Sequence, residues 1–273
     1  IMKEHIAFIG GGNMARSIIG GLLTKGFDKN NIHVSEPYQP TREALSKELA
    51  MDVFDDNAQI ALKSQVWLFA VKPQVMKVVC TELQQLAQIH NPLVISIAAG
   101  ITAEQLDKWL GGNVAVVRVM PNTPALLGAG ASGLFATEQV SDAQKKVAEH
   151  IFQATGLSEW IQTEDLMDTV TALSGSGPAY VFMLAEAMQA AAEQQGLPTH
   201  TAQALAVQTF VGAAKMLSES GEPASVLRQR VTSPNGTTHA AIEQFEHGGL
   251  RDLVQTAMDA ATERGRELSK END

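Results

Sequence analysis

A short apolar run, His5-Ile-Ala-Phe-Ile9, passes directly into Gly10-Gly-Gly-Asn-Met-Ala15, and no other stretch of the chain restricts its fold as much. The order is a strand, then G-x-G-x-x-A, then an amphipathic segment. Gly10 permits the tight turn out of a strand, Gly12 lets backbone approach a pyrophosphate, and Ala15 lets a helix lie close against the sheet. The helix start, at Asn13 and Met14, adds unpaired N–H groups and the positive end of its dipole. A turn of this kind, inside a βαβ unit, reads as a dinucleotide site.

The chain keeps that rhythm up to residue 162. Apolar runs at 6–9, 32–35, 66–71, 93–97, 114–119 and 132–135 predict strands, and the segments 13–25, 41–50, 74–87, 102–110 and 141–154 predict helices between them. Buried parallel strands read as continuous apolar runs, and their crossovers are usually helical. Residues 1–162 are therefore expected to form a doubly wound α/β, Rossmann-like dinucleotide-binding domain.

From residue 163 strand signals vanish. Ala/Leu/Met/Glu/Gln segments take over, broken by Gly177-Pro178, Gly196-Leu-Pro198, Gly221-Glu-Pro223 and Ser233-Pro-Asn-Gly236. Such clusters mark helix ends, and helices are expected near 165–173, 179–195, 199–218, 223–229, 236–247 and 250–269. Stretches such as Ala185-Glu-Ala-Met-Gln-Ala-Ala-Ala192 are small or apolar on more than one face, so they need wide burial. In a small all-α domain spanning 163–273, a second subunit supplies it most cheaply, which predicts a homodimer and leaves open a higher assembly of dimers.

Cofactor chemistry should gather at the carboxyl ends of the strands. Glu36, in Val34-Ser-Glu-Pro37, could hold a free ribose 2′-hydroxyl and would repel a 2′-phosphate, which favours NADH. Ser35, Asn57 and Arg42 could serve a phosphate if Glu36 points away, so NADPH and NADH both stay open. In Leu68-Phe-Ala-Val-Lys-Pro-Gln74, Ala70 and Val71 lie at a strand end, Lys72 could reach the ribose or phosphates, and Pro73 suits a first helical position. In Ser96-Ile-Ala-Ala-Gly100, the small Ala98 and Ala99 would let backbone pass close to a nicotinamide.

The bulk numbers narrow the class. With 45% hydrophobic and 18% charged residues the 273-residue chain is globular rather than disordered. A net charge of −10 argues against nucleic acid or an anionic membrane as the main partner. Cys80 is the single cysteine, which excludes an internal disulfide and a multi-cysteine metal site. The seven histidines show no ligand spacing, so no metal is expected. The chain shows neither a charged leader nor a spanning apolar run, and the expected compartment is the cytoplasm. Ser174 and Ser176 lack a hydrolase G-x-S-x-G frame, and no P-loop lysine follows the glycines.

Four further segments carry more specific information: Ala70-Val-Lys-Pro73, Val119-Met-Pro-Asn-Thr-Pro-Ala125, Ser174-Gly-Ser-Gly-Pro-Ala-Tyr180 and Val231-Thr-Ser-Pro-Asn-Gly-Thr-Thr238. With Phe8-Ile-Gly-Gly-Gly-Asn-Met-Ala15 they closely resemble, in order and over nearly the whole chain, the pyrroline-5-carboxylate reductase family. The resemblance implies reduction of 1-pyrroline-5-carboxylate to L-proline and a C-terminal domain that dimerises by interleaving. It also implies a substrate held between the nicotinamide and the loop 233–238 of the neighbouring subunit. On that basis Ser233, Gly236, Thr237 and Thr238 bind substrate, backbone amides near Gly236 hold its carboxylate, and Thr238 hydrogen-bonds the ring nitrogen as the catalytic residue. The residues suit the task independently, because a helix start grips a carboxylate and a Thr hydroxyl donates without burying charge. Thr237 and Thr238 would otherwise serve only as helix caps. Asn235 stands where many relatives have glycine, and asparagine tolerates the left-handed conformation such a turn uses.

Two rival readings remain at this point. A β-hydroxyacid dehydrogenase would share the two-domain plan but needs a helix lysine, and Lys215 lacks the accompanying motif. A dinucleotide sensor without turnover would leave the loop 233–238 without a task.

Overall fold

The computed structural model describes residues 2–273. Eight strands form one sheet: β1 (Ile6–Ile9), β2 (Ile32–Ser35), β3 (Val53–Phe54), β4 (Val66–Phe69), β5 (Leu93–Ser96), β6 (Ala115–Met120), β7 (Gly130–Ala136) and β8 (Gly156–Trp160). Their order is β3-β2-β1-β4-β5-β6-β7-β8. Strands β1 to β6 run parallel, β7 pairs antiparallel with β6, and β8 pairs parallel with β7. The order reverses at β1, flanked by β2 and β4, which creates the crevice where ligands of doubly wound sheets bind.

The continuous apolar runs make this sheet because successive side chains face opposite sides. Ile6 and Phe8 of β1 join Val66 and Leu68 of β4 in one core. Ala7 and Ile9 join Trp67 and Phe69 in the other. Helix Asn13–Thr24 closes the first core with Ala15, Ile18, Ile19 and Leu22, and helix Pro73–His90 closes the second with Met76, Cys80, Leu83 and Ala87. Both sets recur at the three- and four-residue steps of one helix face. Each such fully buried Ile, Leu or Phe contributes roughly 1.5–3 kcal/mol. Burial pushes the Cys80 thiol up to about 12, so it acts as a small apolar side chain.

The six expected strands and five expected helices of this region are present, with ends shifted by a few residues. Helix Pro73–His90 runs past the expected 87 and stops at Asn91, whose φ of 47° ends it in the left-handed region. Two strands and one α-helix were not expected. Strand β3 is two residues long, too short to show a period. Helix Asn57–Ala61 is a single turn begun by the Asp56 carboxylate, which accepts from the Ala58 N–H. Strand β8, Gly-Leu-Ser-Glu-Trp, alternates half-buried and exposed positions, so no apolar run announces it.

The chain divides into two compact units. One runs from the N-terminus to Ser176 and resumes at Ala260–Asp273, and the other is Gly177–Asp259. This partition differs from a single break at 162. Helix Met167–Val170 and the π-turn Thr171–Gly175 pack with the sheet, and the end of the last helix, Leu250–Glu271, returns to it. There Gln105 Nε2 donates to the Asp273 carboxylate (2.6 Å) and to the Ser269 carbonyl (2.9 Å). Asn272 Nδ2 donates to the Gly100 carbonyl (3.3 Å). Gly265 lies so close to Asp168 that a Cβ there would come within 2.7 Å of Oδ1. Burial raises the Asp168 pKa above the usual carboxylate value, while Arg118 and Arg266 oppose the shift. The buried Arg118 in turn meets Glu164 at 3.3 Å, whose Oε2 also accepts from the Ala103 N–H.

The second unit is all helical: Gly177–Gln194, Thr199–Glu219, Ala224–Arg230, Thr237–His247 and the start of Leu250–Glu271. Among its described residues, Ala202 and Leu227 are the buried apolar side chains, whereas Phe182 is 66%, Met183 72% and Leu253 64% exposed. Among the described residues, no helix is long and apolar enough to cross a membrane.

At the amino-terminal side of β1 and β2, His5 Nδ1 and His33 Nε2 meet at 2.8 Å with their rings stacked. Burial, His5 and Lys63 together lower the His33 pKa from 6.5. The unfolded chain then binds more protons than the folded one just below that value, so stability falls as pH drops through it. Melting curves from pH 7.5 to 5.5 should show a declining Tm that flattens in His33→Gln. An equal decline in that variant would clear the pair of any part in acid sensitivity.

Candidate active site

The glycine turn sits where the sheet order reverses. Gly10 has φ +101°, its N–H donates to the Ser35 carbonyl at 2.9 Å, and a Cβ there would stand 2.6 Å from the Ala70 carbonyl oxygen. The turn is thus seated between the ends of β2 and β4, and only glycine fits. Gly12 is different. It is the N-cap of helix Asn13–Thr24, with φ −74° and ψ −173°, no side chain caps that helix, and a Cβ would meet nothing within 4 Å. The first N–H groups, at Asn13 and Met14, therefore stand beside open space at a positive helix end. This cradle fits a dinucleotide pyrophosphate.

Around it the structure brings together the other residues expected at the carboxyl edge. Glu36 follows β2, and its Oε2 accepts from the Gly11 N–H at 2.9 Å, so the carboxylate faces the turn. Ser35 is wholly buried and its hydroxyl donates to Asn57 Oδ1 at 2.6 Å. Arg42 Nη1 donates to the carbonyls of Glu36 and Pro37. Past β4, the Ala70 N–H donates to Ile9, Val71 lies beside Gly10, exposed Lys72 is the N-cap of helix Pro73–His90, and Pro73 is its first residue. Past β5, the Ala98 N–H reaches Ser96 Oγ at 3.3 Å, and Ala99 is exposed. Gly100 follows at φ +70°, covered by Leu268.

Two motifs of the sequence turn out to be one brace. Asn122 Nδ2 donates to the Ser174 carbonyl at 3.0 Å while its Oδ1 accepts from the Ala131 N–H at 2.8 Å. Met-Pro-Asn-Thr-Pro and Ser-Gly-Ser-Gly are thereby tied together across fifty residues of chain.

In the second unit, the loop 233–238 forms a turn closed by the Gly236 N–H on the Ser233 carbonyl at 3.0 Å. Asn235 has φ 60°, the left-handed conformation anticipated for it. Gly236 is the N-cap of helix Thr237–His247, and no side chain caps it. Capping is thus not the task of exposed Thr237 or half-buried Thr238, and the N–H groups that begin the helix are open to an anion. Exposed Ser233 supplies the carbonyl of the turn. His239, next to Thr238, also belongs to this turn: its Nδ1 accepts from the Asn235 N–H at 3.0 Å and its Nε2 lies 3.2 Å from Glu243. Its spacing, four residues after a left-handed position, was the available signal.

Residues 164–268 match the sequence model described as pyrroline-5-carboxylate reductase dimerisation, and residues 5–100 match that of NADP oxidoreductase, coenzyme F420-dependent. A pyrroline-5-carboxylate reductase of Pseudomonas aeruginosa is 49% identical, over 98% of this chain and 97% of its own. The chain belongs to the pyrroline-5-carboxylate reductase family. A solved pyrroline-5-carboxylate reductase from Coxiella burnetii superposes with a TM-score of 0.94 at 46% identity, covering 98% of this chain and 99% of that one. The Plasmodium falciparum pyrroline carboxylate reductase, solved with NADP bound, gives 0.85 at 28% identity, covering 98% of each chain. Membership in this reductase family sets aside both the β-hydroxyacid dehydrogenase and the sensor readings.

Proposed function

We propose that this chain reduces 1-pyrroline-5-carboxylate to L-proline with NADH or NADPH, binding the cofactor in the first unit and the substrate carboxylate at the loop 233–238. The single observation that carries the substrate site is the uncapped start of helix Thr237–His247 behind the left-handed turn at Asn235. A carboxylate there accepts hydrogen bonds from amides that nothing else satisfies. Thr238 stands at the same helix start, within reach of a ring bound by its carboxylate, and its hydroxyl donates to the imine nitrogen. A bound dihydronicotinamide would supply the hydride for the imine carbon, and solvent would supply the proton that the nitrogen takes up to become the secondary amine. Thr238 is a weak acid, so its contribution is to orient the ring, and positioning supplies most of the acceleration. Gly10, Gly12, Asn13 and Met14 hold the pyrophosphate, with Lys72 beside it. Glu36 and Asn57 meet the adenosine ribose, and Ala98 and Ala99 pass under the nicotinamide.

Residues 163–273 act as the substrate and dimerisation segment of a homodimer, in which the loop of one protomer serves the dinucleotide site of its partner. A unit with so few buried apolar side chains has no adequate core by itself, which supports that reading. A cytoplasmic location accords with the lone, buried Cys80.

The test mixes the protein, NADH or NADPH, and pyrroline-5-carboxylate and follows loss of dihydronicotinamide absorbance. Thr238→Ala should lower kcat about tenfold at an unchanged Tm, as expected for one hydrogen bond of roughly 1–2 kcal/mol. An undiminished rate would remove Thr238 from the mechanism.

A further inference from the structure

We propose that Glu36 makes this enzyme selective for NADH over NADPH, an inference that rests on the reductase reading above. In a doubly wound sheet the adenosine ribose lies beyond the second strand, beside the glycine turn. Glu36 is the first residue after β2, and its own N–H is pinned to the Phe54 carbonyl of β3 at 2.8 Å. Its side chain does not swing out to solvent. Oε2 takes the Gly11 N–H at 2.9 Å, and Gly11 is wedged between Glu36 and Leu45, with space for no Cβ. The carboxylate is thus anchored at the rim of the cradle with acceptor capacity left over, since one carboxylate offers about four lone-pair sites. A ribose 2′-hydroxyl can donate to it. A 2′-phosphate there would set a dianion against a fixed anion with no proton to share.

The groups nearest Glu36 that would welcome a phosphate are held by the protein itself. The Ser35 hydroxyl is buried and bonded to Asn57. Arg42 Nη1 donates to the Glu36 and Pro37 carbonyls at 3.0 and 3.2 Å, which ties the guanidinium to the backbone after β2. Arg16 Nε sits 3.0 Å from Glu48, an ion pair without hydrogen-bond alignment. Lys72 follows β4, across β1 from Glu36, so it serves the other side of the turn. Selectivity here is a difference between a hydrogen bond gained and a like charge opposed.

Calorimetric titration of the whole protein with NADH and with NADPH reads this without any turnover, and the oxidation assay with pyrroline-5-carboxylate reads it again as kcat/KM. Wild type should bind NADH about 100-fold more tightly than NADPH, the ratio expected for one like-charge contact in a partly solvated cleft. Glu36→Gln keeps an acceptor for the Gly11 N–H and removes the charge. It should weaken NADH and strengthen NADPH, each by roughly tenfold, so that the preference disappears. Equal or tighter binding of NADPH by wild type, or a ratio that Glu36→Gln leaves in place, would overturn the proposal. Selective NADH binding without imine-dependent oxidation would sustain Glu36 as the selector and sink the reductase reading instead.

Discussion

Gly12→Val should give a folded protein that no longer binds a nicotinamide dinucleotide. The backbone at Gly12 already has dihedrals that any residue adopts, and the space where a Cβ would go is open. A Cβ there meets no protein atom within 4 Å, so stability should move by less than about 1 kcal/mol. The same space is where a pyrophosphate must approach the N–H groups of Asn13 and Met14, and two added methyls would hold it off. Affinity should fall by roughly 100-fold or more, the loss of charge-assisted hydrogen bonds at a helix start. Gly10→Ala makes the opposite expectation. Its left-handed φ and the 2.6 Å approach to the Ala70 carbonyl place the damage in the fold, at about 2–4 kcal/mol. Thermal melts and cofactor titrations of the two variants separate the roles. A Gly12→Val protein with normal affinity would show that the cradle is not the phosphate site.

The second large effect is expected at the exposed helix Gly177–Gln194. Phe182 and Met183 are two of the most solvent-exposed large apolar side chains of the second unit. In the proposed dimer they are covered, each contributing roughly 1.5–3 kcal/mol, and the contribution counts twice across a two-fold axis. The double substitution Phe182→Glu with Met183→Glu should therefore raise the dimer dissociation constant by roughly 10³-fold or more. Size-exclusion with light scattering at micromolar protein reads it directly. A double variant that stays dimeric would move the interface to another face of the unit.

What could be read before any coordinates depended on how each element is specified. Strands β1, β4 and β5 are buried at every position, so each is a largely apolar run, and such runs are visible. Strand β8 borrows its register from β7 and exposes alternate residues, so its sequence resembles a loop. Helix ends were legible where Pro or Gly stands, as at Pro73 and Gly236, and less so at Asn91. The glycine turn could be read because sterics leave few residue choices at Gly10. The orientation of Glu36 could not, because it hangs on one hydrogen bond to a neighbour 25 residues away in the chain. The same holds for Asn122, whose partners lie on β7 and the turn at Ser174. Long-range polar contacts of this type leave no periodic trace.

The return of the last helix to the sheet has a consequence for the order in which the molecule is made. The Gln105 Nε2 of helix Ala103–Trp109 donates to the Ser269 carbonyl and the Asp273 carboxylate, and Leu268 and Asn272 lie against the Gly100 bend. A nascent polypeptide that has just released its first six strands from the ribosome thus still lacks one wall of its nucleotide fold. That wall arrives after every helix of the second unit has been synthesised. The first unit is therefore completed by residues made last, after the whole of the second unit has been synthesised.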